Sequence, residues 1–343
     1  MKNFTLKVQE IRKETKDTIT LCFKQPGLRK IKYQAGQYLT LSLRINGRKY
    51  TRPYSFSSSP LVDLLLETTI KRIPDGIFSN HVHDTIHVGD MVEVMKPMGD
   101  FVHVNNESIN QIYFWGVGSG ITPLMSILKE VLISNPLVNV NLIYGNKNFE
   151  STIFLEEINQ LVSKYPNHLK VWHFLTQYIH VKNHHFVKSG RIKKDFILDL
   201  LKDVVIEKTA HYVCGPVNLK NTIKGALALL ECPKENIFSE DFELVKDPRD
   251  FDDITTHEVK INFQGKETLV IVEKRKSVLE AALDLGIELP YSCQTGSCST
   301  CKGKLKGGKI RMIGLPKERK DLEQDDYLLC CSHPLTGDVY LEI

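Results

Sequence analysis

The chain has 343 residues, 42% hydrophobic and 25% charged, with a formal net charge of +4. That is a globular composition, long enough for two or three domains with their own cores, and the small charge excess gives no case for nucleic acid or a membrane surface as a partner. No apolar run approaches the roughly 20 residues of a membrane span, and the start Met1-Lys2-Asn3-Phe4-Thr5 carries no apolar signal region, so the expected compartment is the cytoplasm.

Residues 1–106 read as mostly β. Thr18–Phe23 and Tyr38–Leu43 alternate apolar and polar residues. Turn signals at Pro26-Gly27, Asn46-Gly47, Pro74-Asp75-Gly76, Gly89-Asp90 and Gly99-Asp100 cut the region into short strands. This pattern predicts an antiparallel barrel or sandwich. From residue 111 the pattern changes. Strands are predicted at 111–115, 138–145, 171–175 and 210–214, with helices over Leu124–Ile133 and Thr152–Leu161. Thr122 suits an N-cap and Pro123 the first helical position. Alternating strands and helices predict a parallel sheet covered on both faces, spanning residues 107–243. The polar, Asp-rich stretch 244–256 is the expected linker. Beyond it, 257–343 predicts a small α+β domain. A hairpin turns at Gln264-Gly265-Lys266, and a helix opened by a Ser277/Glu280 capping box ends near Gly286.

The last domain also carries the strongest chemical signal. Cys293, Cys298 and Cys301 stand in C-x4-C-x2-C spacing, and Cys331 follows near the end. This is the plant-type spacing of a [2Fe–2S] cluster. Small residues in the loop let the backbone donate N–H bonds to the sulfides, which tunes the potential. A structural zinc site usually needs a second close Cys or His pair, which is missing here. Eight cysteines without an export signal do not make a disulfide framework. Cys330, beside Cys331, reads as a buried small side chain that could rescue a Cys331 variant. Cys22 and Cys232 have no partner pattern. His81, His83 and His87, like His184-His185, read as hydrated surface, because no cysteine or spaced carboxylate completes a metal set.

Two further patterns concern nucleotides. Gly116-x-Gly118-x-Gly120 between a strand and a helix can bring backbone N–H groups to a pyrophosphate, although its spacing is not the dinucleotide fingerprint. Arg52-Pro53-Tyr54-Ser55 offers a phosphate partner, a flat ring for stacking and a hydroxyl.

With these residues the chain resembles the ferredoxin–NADP reductase superfamily. Arg52-x-Tyr54-Ser55, Gly76-Ile77-Phe78-Ser79-Asn80, Gly118-Ser119-Gly120-Ile121-Thr122-Pro123 and Cys214-Gly215-Pro216 occur in the family's order. The C-terminal segment is similar to plant-type ferredoxin, including Tyr327-Leu328-Leu329-x-Cys331. The domain order resembles oxygenase reductase components of the phenylacetyl-CoA epoxidase type. The resemblance implies an FAD-binding β-barrel (1–106), an NAD(P)H-binding α/β domain (107–243) and a β-grasp ferredoxin domain (257–343). It implies electron flow from NAD(P)H to FAD to [2Fe–2S] to a partner protein such as an oxygenase. Other acceptors (a desaturase, a hybrid-cluster protein) and a non-enzymatic redox sensor are the alternatives.

The resemblance also implies roles for single residues. Arg52 binds the flavin pyrophosphate, Tyr54 stacks on the flavin ring and Ser55 sits near its reactive nitrogen. Ile70 and Lys71 contact the flavin, and Ile77, Phe78, Ser79 and Asn80 hold the pyrophosphate. Gly118, Ser119, Gly120, Thr122 and Pro123 hold the nicotinamide nucleotide. Cys214, Gly215 and Pro216 lie near its ring, and Glu240 and Phe242 form an acidic-x-aromatic end to the domain, with Phe242 covering the flavin face. No carboxylate directly follows Tyr144-Gly145-Asn146-Lys147 to accept ribose hydroxyls. Lys147 can meet a 2′-phosphate, so the coenzyme reading leans to NADPH. Basic and acidic residues balance over 257–343, which fits a tethered domain that need not steer itself to a separate reductase. Lys302, Lys304 and Lys306 read as a solvated strand face.

Overall fold

The computed structural model describes residues 3–27, 30–177, 186–244, 246–315 and 318–343. The alternating N-terminal segments form strands β1 (Asn3–Thr15), β2 (Thr18–Phe23), β3 (Tyr38–Ile45), β4 (Arg48–Ser55), β5 (Leu66–Lys71) and β6 (Met91–Met95), with helix α1 (Ile77–Thr85) between the last two. Their order in the sheet is β4-β3-β6-β1-β2-β5. β1 runs antiparallel to β2 and β6, and β2 to β5. An antiparallel bridge between Phe56 and Thr68 joins the end of β4 to β5, so the sheet closes as a barrel. Leu6, Val8, Leu21, Phe23, Leu39 and Leu41 are buried, as the period-2 pattern requires. Asn46 and Gly47 both have positive φ, the backbone of a two-residue turn between twisted strands.

The second sheet is parallel. It contains β7 (Gln111–Val117), β8 (Asn139–Asn146), β9 (Leu169–Leu175), β10 (Val187–Ser189), β11 (Thr209–Cys214) and β12 (Ile237–Glu240), in the order β10-β9-β8-β7-β11-β12. Helices α2 (Ile121–Ser134), α3 (Leu155–Lys164), α4 (Lys194–Leu201) and α5 (Val217–Leu229) cover it. Neighbouring residues of β7 enter different cores. Ile112 and Phe114 pack with α2 residues, and Tyr113 and Trp115 pack with α4 and α5 residues. Both faces of the strand are therefore apolar, which explains its unbroken hydrophobic run.

Two helix starts differ from the sequence expectation. A 3-10 turn over Gly118–Gly120 leads directly into α2 at Ile121. Thr122 donates its hydroxyl to the Ser119 carbonyl (2.9 Å) and does not act as the cap. α3 begins at Leu155, because Asn148 and Ser151 close a separate 3-10 turn over Phe149–Ser151.

Residues 1–41 and 54–240 form one compact unit, and residues 42–53 and 241–343 a second. In the first, the Ser126 hydroxyl on α2 accepts from Gly36 N (3.2 Å) and donates to the Ser58 carbonyl (2.5 Å). Buried Lys129 meets Asp63 at 2.8 Å and Glu157 at 3.1 Å.

The second unit contains β13 (His257–Phe263), β14 (Lys266–Val272), α6 (Val278–Asp284), β15 (Lys302–Gly307), β16 (Ile310–Met312), β17 (Asp326–Leu328), β18 (Ser332–Pro334) and β19 (Val339–Glu342). The main sheet runs β14-β13-β19-β15-β17, with β13 parallel to β19, and β16 pairs with β18. The capping box forms: Ser277 Oγ accepts from Glu280 N (3.2 Å), and Glu280 Oε2 accepts from Ser277 N (2.7 Å). Gly286 follows the helix with positive φ. The 42–53 segment joins this unit through specific contacts. Arg48 donates to the Leu283 and Asp284 carbonyls at the end of α6 (2.9 and 2.6 Å). Arg44 pairs with Glu288, and the Tyr291 hydroxyl accepts from Thr51 N (2.9 Å).

The 244–256 stretch is not a free tether over its middle. Phe251 and Ile254 are buried with Ile313. Lys274 donates to the Asp252 carbonyl (3.3 Å), and Arg311 holds Asp253 with two bonds of 2.8 and 2.7 Å. Val245 lies outside the described residues.

Candidate active site and metal centre

β4 carries the Arg52-x-Tyr54-Ser55 motif on successive strand positions. Arg52 donates to the Thr51 carbonyl (2.8 Å) and is only half-buried. In the first unit, the Tyr54 ring lies 5.9 Å from Phe78 of α1. Ser55 is buried, and its hydroxyl donates to Glu240 Oε2 at 3.3 Å. Ile70 is buried at the end of β5, and its carbonyl meets His83 Nε2 at 3.0 Å. Lys71 beside it pairs with Asp17 at 3.5 Å.

The first turn of α1 is Ile77-Phe78-Ser79-Asn80. Its N-cap, Gly76, brings no side-chain bond, so the first N–H groups stay available to an anion. The turn is braced from behind. Ser79 Oγ accepts from Ile73 N (3.1 Å), and Asn80 donates to the Ile73 carbonyl (3.2 Å). These contacts tie the Ser79 and Asn80 side chains back to Ile73 and fix the first turn of α1.

The strand order reverses direction at β7 and β11, so the crevice for a nucleotide lies beyond their carboxyl ends. The Gly118–Pro123 turn follows β7, and Cys214-Gly215-Pro216 ends β11. Cys214 stands in register with Gly116 on one side and Glu240 on the other. The two turns touch closely. A Cβ on Gly120 would lie 2.2 Å from the Cys214 carbonyl oxygen and 2.9 Å from Gly215 N. Gly118 has φ +56° and open space where a Cβ would be. The α2 N-terminus has no side-chain cap. A glycine turn with this open end fits a phosphate-bearing nucleotide.

Burial pushes the Glu240 carboxyl up to about 8, against the opposing effect of the Ser55 hydrogen bond. Burial also pushes the Cys214 thiol up, so the thiol is neutral. Sequence reasoning missed Lys220, whose ammonium reaches the Glu240 carbonyl at 3.4 Å. A signal was present: Lys220 falls on the buried stripe of α5 with Leu219, Ile223, Ala226 and Leu227. Lys147 is exposed just after β8, and its carbonyl accepts from Gln177 N (2.7 Å). Phe242, past β12, is 47% exposed.

In the second unit, the cysteine loop precedes β15. Thr295 N and Cys298 N both donate to Cys293 Sγ (3.4 Å each). Gln294 and Gly296 have positive φ, which folds these amides toward the sulfur. A loop that already aims N–H groups at thiol sulfur fits an iron–sulfur cluster. Arg319, also missed in the sequence, clasps this loop. It donates to the Gly296 and Cys298 carbonyls and to Ser299 Oγ, and Asp321 anchors it (2.7 Å). Nothing in Lys317-Glu318-Arg319-Lys320 distinguishes it from surface charge. Cys330 and Cys331 follow β17, both buried, with their sulfurs 3.6 Å apart. Among the described residues, no three His, Cys, Asp or Glu side chains gather as a single-ion site. His184-His185 lie outside the described residues.

Comparison with known proteins agrees with this geometry. The chain matches the oxidoreductase FAD-binding domain over residues 5–103, the oxidoreductase NAD-binding domain over 114–225, and the 2Fe-2S iron-sulfur cluster binding domain over 261–335. The ferredoxin reductase component of 3-ketosteroid-9-alpha-monooxygenase from Rhodococcus rhodochrous is 31% identical, covering 98% of this chain and 96% of its own. A component of the 1,2-phenylacetyl-CoA epoxidase of Escherichia coli is 30% identical, covering 98% and 97%. The solved structure of phthalate dioxygenase reductase superposes with a TM-score of 0.69 over 99% of this chain and 98% of its own; at 22% identity it speaks to the fold. No helix among the described residues is long and apolar enough to cross a membrane. With FAD-binding, NAD-binding and 2Fe-2S domains in one chain and near full-length relatives of this kind, the protein belongs to the family of iron–sulfur flavoprotein reductase components of oxygenase systems.

Proposed function

We propose that this reductase takes electrons from NADPH and delivers them to a separate oxygenase or hydroxylase component, of the kind the phenylacetyl-CoA epoxidase and ketosteroid monooxygenase relatives serve. The carrying observation is the Ser55–Glu240 hydrogen bond beside Cys214, at the carboxyl ends of the parallel strands. It brings a barrel hydroxyl and a carboxyl that keeps its proton at neutral pH to the mouth of the nucleotide crevice. When bound, the nicotinamide supplies a hydride, FAD accepts it, and the cluster passes the electrons on singly. The chain's own groups position and protonate. Ser55 and Glu240 hold a proton at the flavin edge, and Cys214 offers a small neutral surface to the nicotinamide. Tyr54 stacks on the flavin, Ile70 and Lys71 line it, and Phe242 shields the face the nicotinamide occupies. Arg52 and the first-turn amides of α1 hold the flavin pyrophosphate; Gly118, Ser119, Gly120, Thr122 and Pro123 with Gly215 and Pro216 hold the dinucleotide. Lys147, exposed at the end of β8, supports the lean to NADPH.

Anaerobic titration with NADPH, and in parallel with NADH, tests the reading through the visible spectrum. Bleaching of flavin and cluster bands together supports the electron path. Flavin bleaching with an unchanged cluster removes the C-terminal domain from it. Lys147→Glu is expected to weaken NADPH far more than NADH, and equal loss with both coenzymes defeats the NADPH assignment.

A further inference from the structure

The flavin motif and the cysteine loop lie far apart in sequence, yet one buried hydrogen bond joins the segments that lead into them. We propose that Tyr291 is a positioning residue for the passage of electrons from FAD to the cluster: its hydroxyl, on the N–H of Thr51, seats the start of the cysteine loop on the strand that carries Arg52-x-Tyr54-Ser55. The proposal rests on the electron path proposed above.

Both partners belong to the second unit, which holds residues 42–53 and 241–343. Thr51 N donates to the Tyr291 hydroxyl at 2.9 Å. Thr51 is 2% exposed and Tyr291 5%. Cys293 follows two residues after Tyr291, and Arg52 directly follows Thr51. β4 is the last strand of its sheet, so among the described residues its outer N–H groups have no further strand to pair with. At Thr51 the tyrosine hydroxyl takes that place. The rest of Thr51 is fixed as well. Its hydroxyl meets Ser42 Oγ of β3 at 3.3 Å, and its carbonyl accepts from the Arg52 guanidinium at 2.8 Å. One residue thus holds the approach to the cysteine loop through its N–H and the proposed pyrophosphate partner through its carbonyl.

Two arginines of the same hairpin follow the chain from α6 toward Tyr291. Arg48 donates to the Leu283 and Asp284 carbonyls, and Arg44 pairs with Glu288 at 2.9 Å. The ion pair is not the fixed point, because the Arg44 and Glu288 side chains are 63% and 45% exposed and such pairs are worth little. The Thr51 bond lies out of water, where an unmet backbone N–H is costly. The Tyr291 ring belongs to the core that holds Leu279, Leu289 and Leu329, so ring and hydroxyl have separate tasks, packing and seating. The cofactors carry the redox chemistry, and the protein decides how they are held. Each passage moves one electron from reduced FAD to the oxidised cluster, while the Tyr291 hydroxyl keeps its proton and its charge.

The test uses the full-length protein and its Tyr291→Phe variant, which keeps the ring and removes the hydroxyl. Anaerobic stopped-flow mixing with NADPH follows flavin reduction and then cluster reduction, amide hydrogen exchange follows the β4 peptide, and FAD, iron and acid-labile sulfide contents are the controls. Loss of one buried hydrogen bond shifts a two-state balance on the order of fivefold to tenfold. Tyr291→Phe is expected to keep all three contents and the rate of flavin reduction, to slow cluster reduction by that factor, and to speed exchange at β4. Glu288→Gln, which breaks only the exposed pair, should change cluster reduction far less. Wild-type cluster reduction in Tyr291→Phe, unchanged exchange at β4, or an equal loss in Glu288→Gln overturns the assignment. If Tyr291→Phe loses iron, Thr51→Pro decides in the same assay, because it removes the same N–H from an edge strand and leaves the cysteine loop untouched. A wild-type cluster that stays oxidised while the flavin bleaches defeats the electron path itself, and the role of Tyr291 falls with it; a slow variant beside a fast wild type leaves the path standing.

Discussion

Gly120→Ala is the sharpest single perturbation of the nucleotide crevice. The added Cβ would lie 2.2 Å from the Cys214 carbonyl oxygen, 2.6 Å from its carbon and 2.9 Å from Gly215 N. All three are backbone atoms of the β11 end, so no side chain can rotate to relieve the clash. Restoring ordinary contact needs a displacement of about 1 Å, and overpacking of this kind costs about 1–3 kcal/mol. The stability loss is secondary to the geometric one. Cys214 stands between Gly116 and Glu240 in register, so its shift displaces the end of β11 where the proposed function seats the nicotinamide. A misplacement of about 1 Å costs on the order of 10²-fold in rate. Anaerobic stopped-flow reduction of the flavin by NADPH and NADH measures that rate, with dithionite reduction and FAD content as controls. The expected variant keeps FAD, reduces normally with dithionite, and loses about 10²-fold in coenzyme-driven reduction. Gly225→Ala on α5, where a Cβ meets nothing within 4 Å, is the matched control; it should be neutral or stabilise by about 0.4–1 kcal/mol. Wild-type coenzyme kinetics in Gly120→Ala would show that the β11 turn does not set the site.

Other expectations follow from charges at fixed positions. Arg319→Gln removes a cation that clasps the cysteine loop through Gly296, Cys298 and Ser299; the cluster potential should fall and chelators should strip iron faster, and an EPR-monitored redox titration identical to wild type would refute this. Lys129→Met leaves Asp63 and Glu157 without their buried partner; breaking such a pair costs about 3–5 kcal/mol, with the lower end expected because both carboxylates are partly exposed, and an unchanged urea midpoint would show the pair is idle. Glu240 is raised from 4.5 to about 8, so between these values the folded state binds the extra proton. Wild-type stability should therefore fall relative to Glu240→Gln as pH rises from about 4.5 to about 8 and run parallel outside that window; denaturant midpoints that track each other throughout would exclude the raised carboxyl.

Much of the fold follows from local patterns. The switch from period-2 alternation to continuous apolar runs separates the barrel from the parallel sheet, because β7 is buried on both faces. The Ser277 capping box and the Gln264-Gly265 turn depend on neighbours in sequence, and both form. What failed depended on distant residues. Thr122 looks like a cap, but a 3-10 turn through the preceding glycines starts the helix earlier, and its hydroxyl turns to the Ser119 carbonyl. The Asp-rich stretch 244–256 reads as the linker from composition alone, which does not disclose that Phe251 and Ile254 find an apolar seat against Ile313, far along the chain. The Ser55–Glu240 bond spans 185 residues, so no spacing rule reaches it; only the order of family motifs anticipated that both residues belong to one site.

The adjacent cysteines show the same limit at its smallest scale. A spacing motif counts residues, and Cys330 and Cys331 differ by one count. Both are buried and both follow Leu328-Leu329, so neither burial nor composition separates them. The difference arises where an antiparallel strand becomes a turn. The hydrogen bond from Leu329 N to the Cys301 carbonyl sets the register between β17 and the cysteine loop, and that register decides which of two consecutive side chains faces the loop. A shift of one residue in an antiparallel pair exchanges the faces of all its side chains. Which side chain of such a pair faces the loop is thus a property of strand register, and register is written in pairing partners that lie far apart in the sequence.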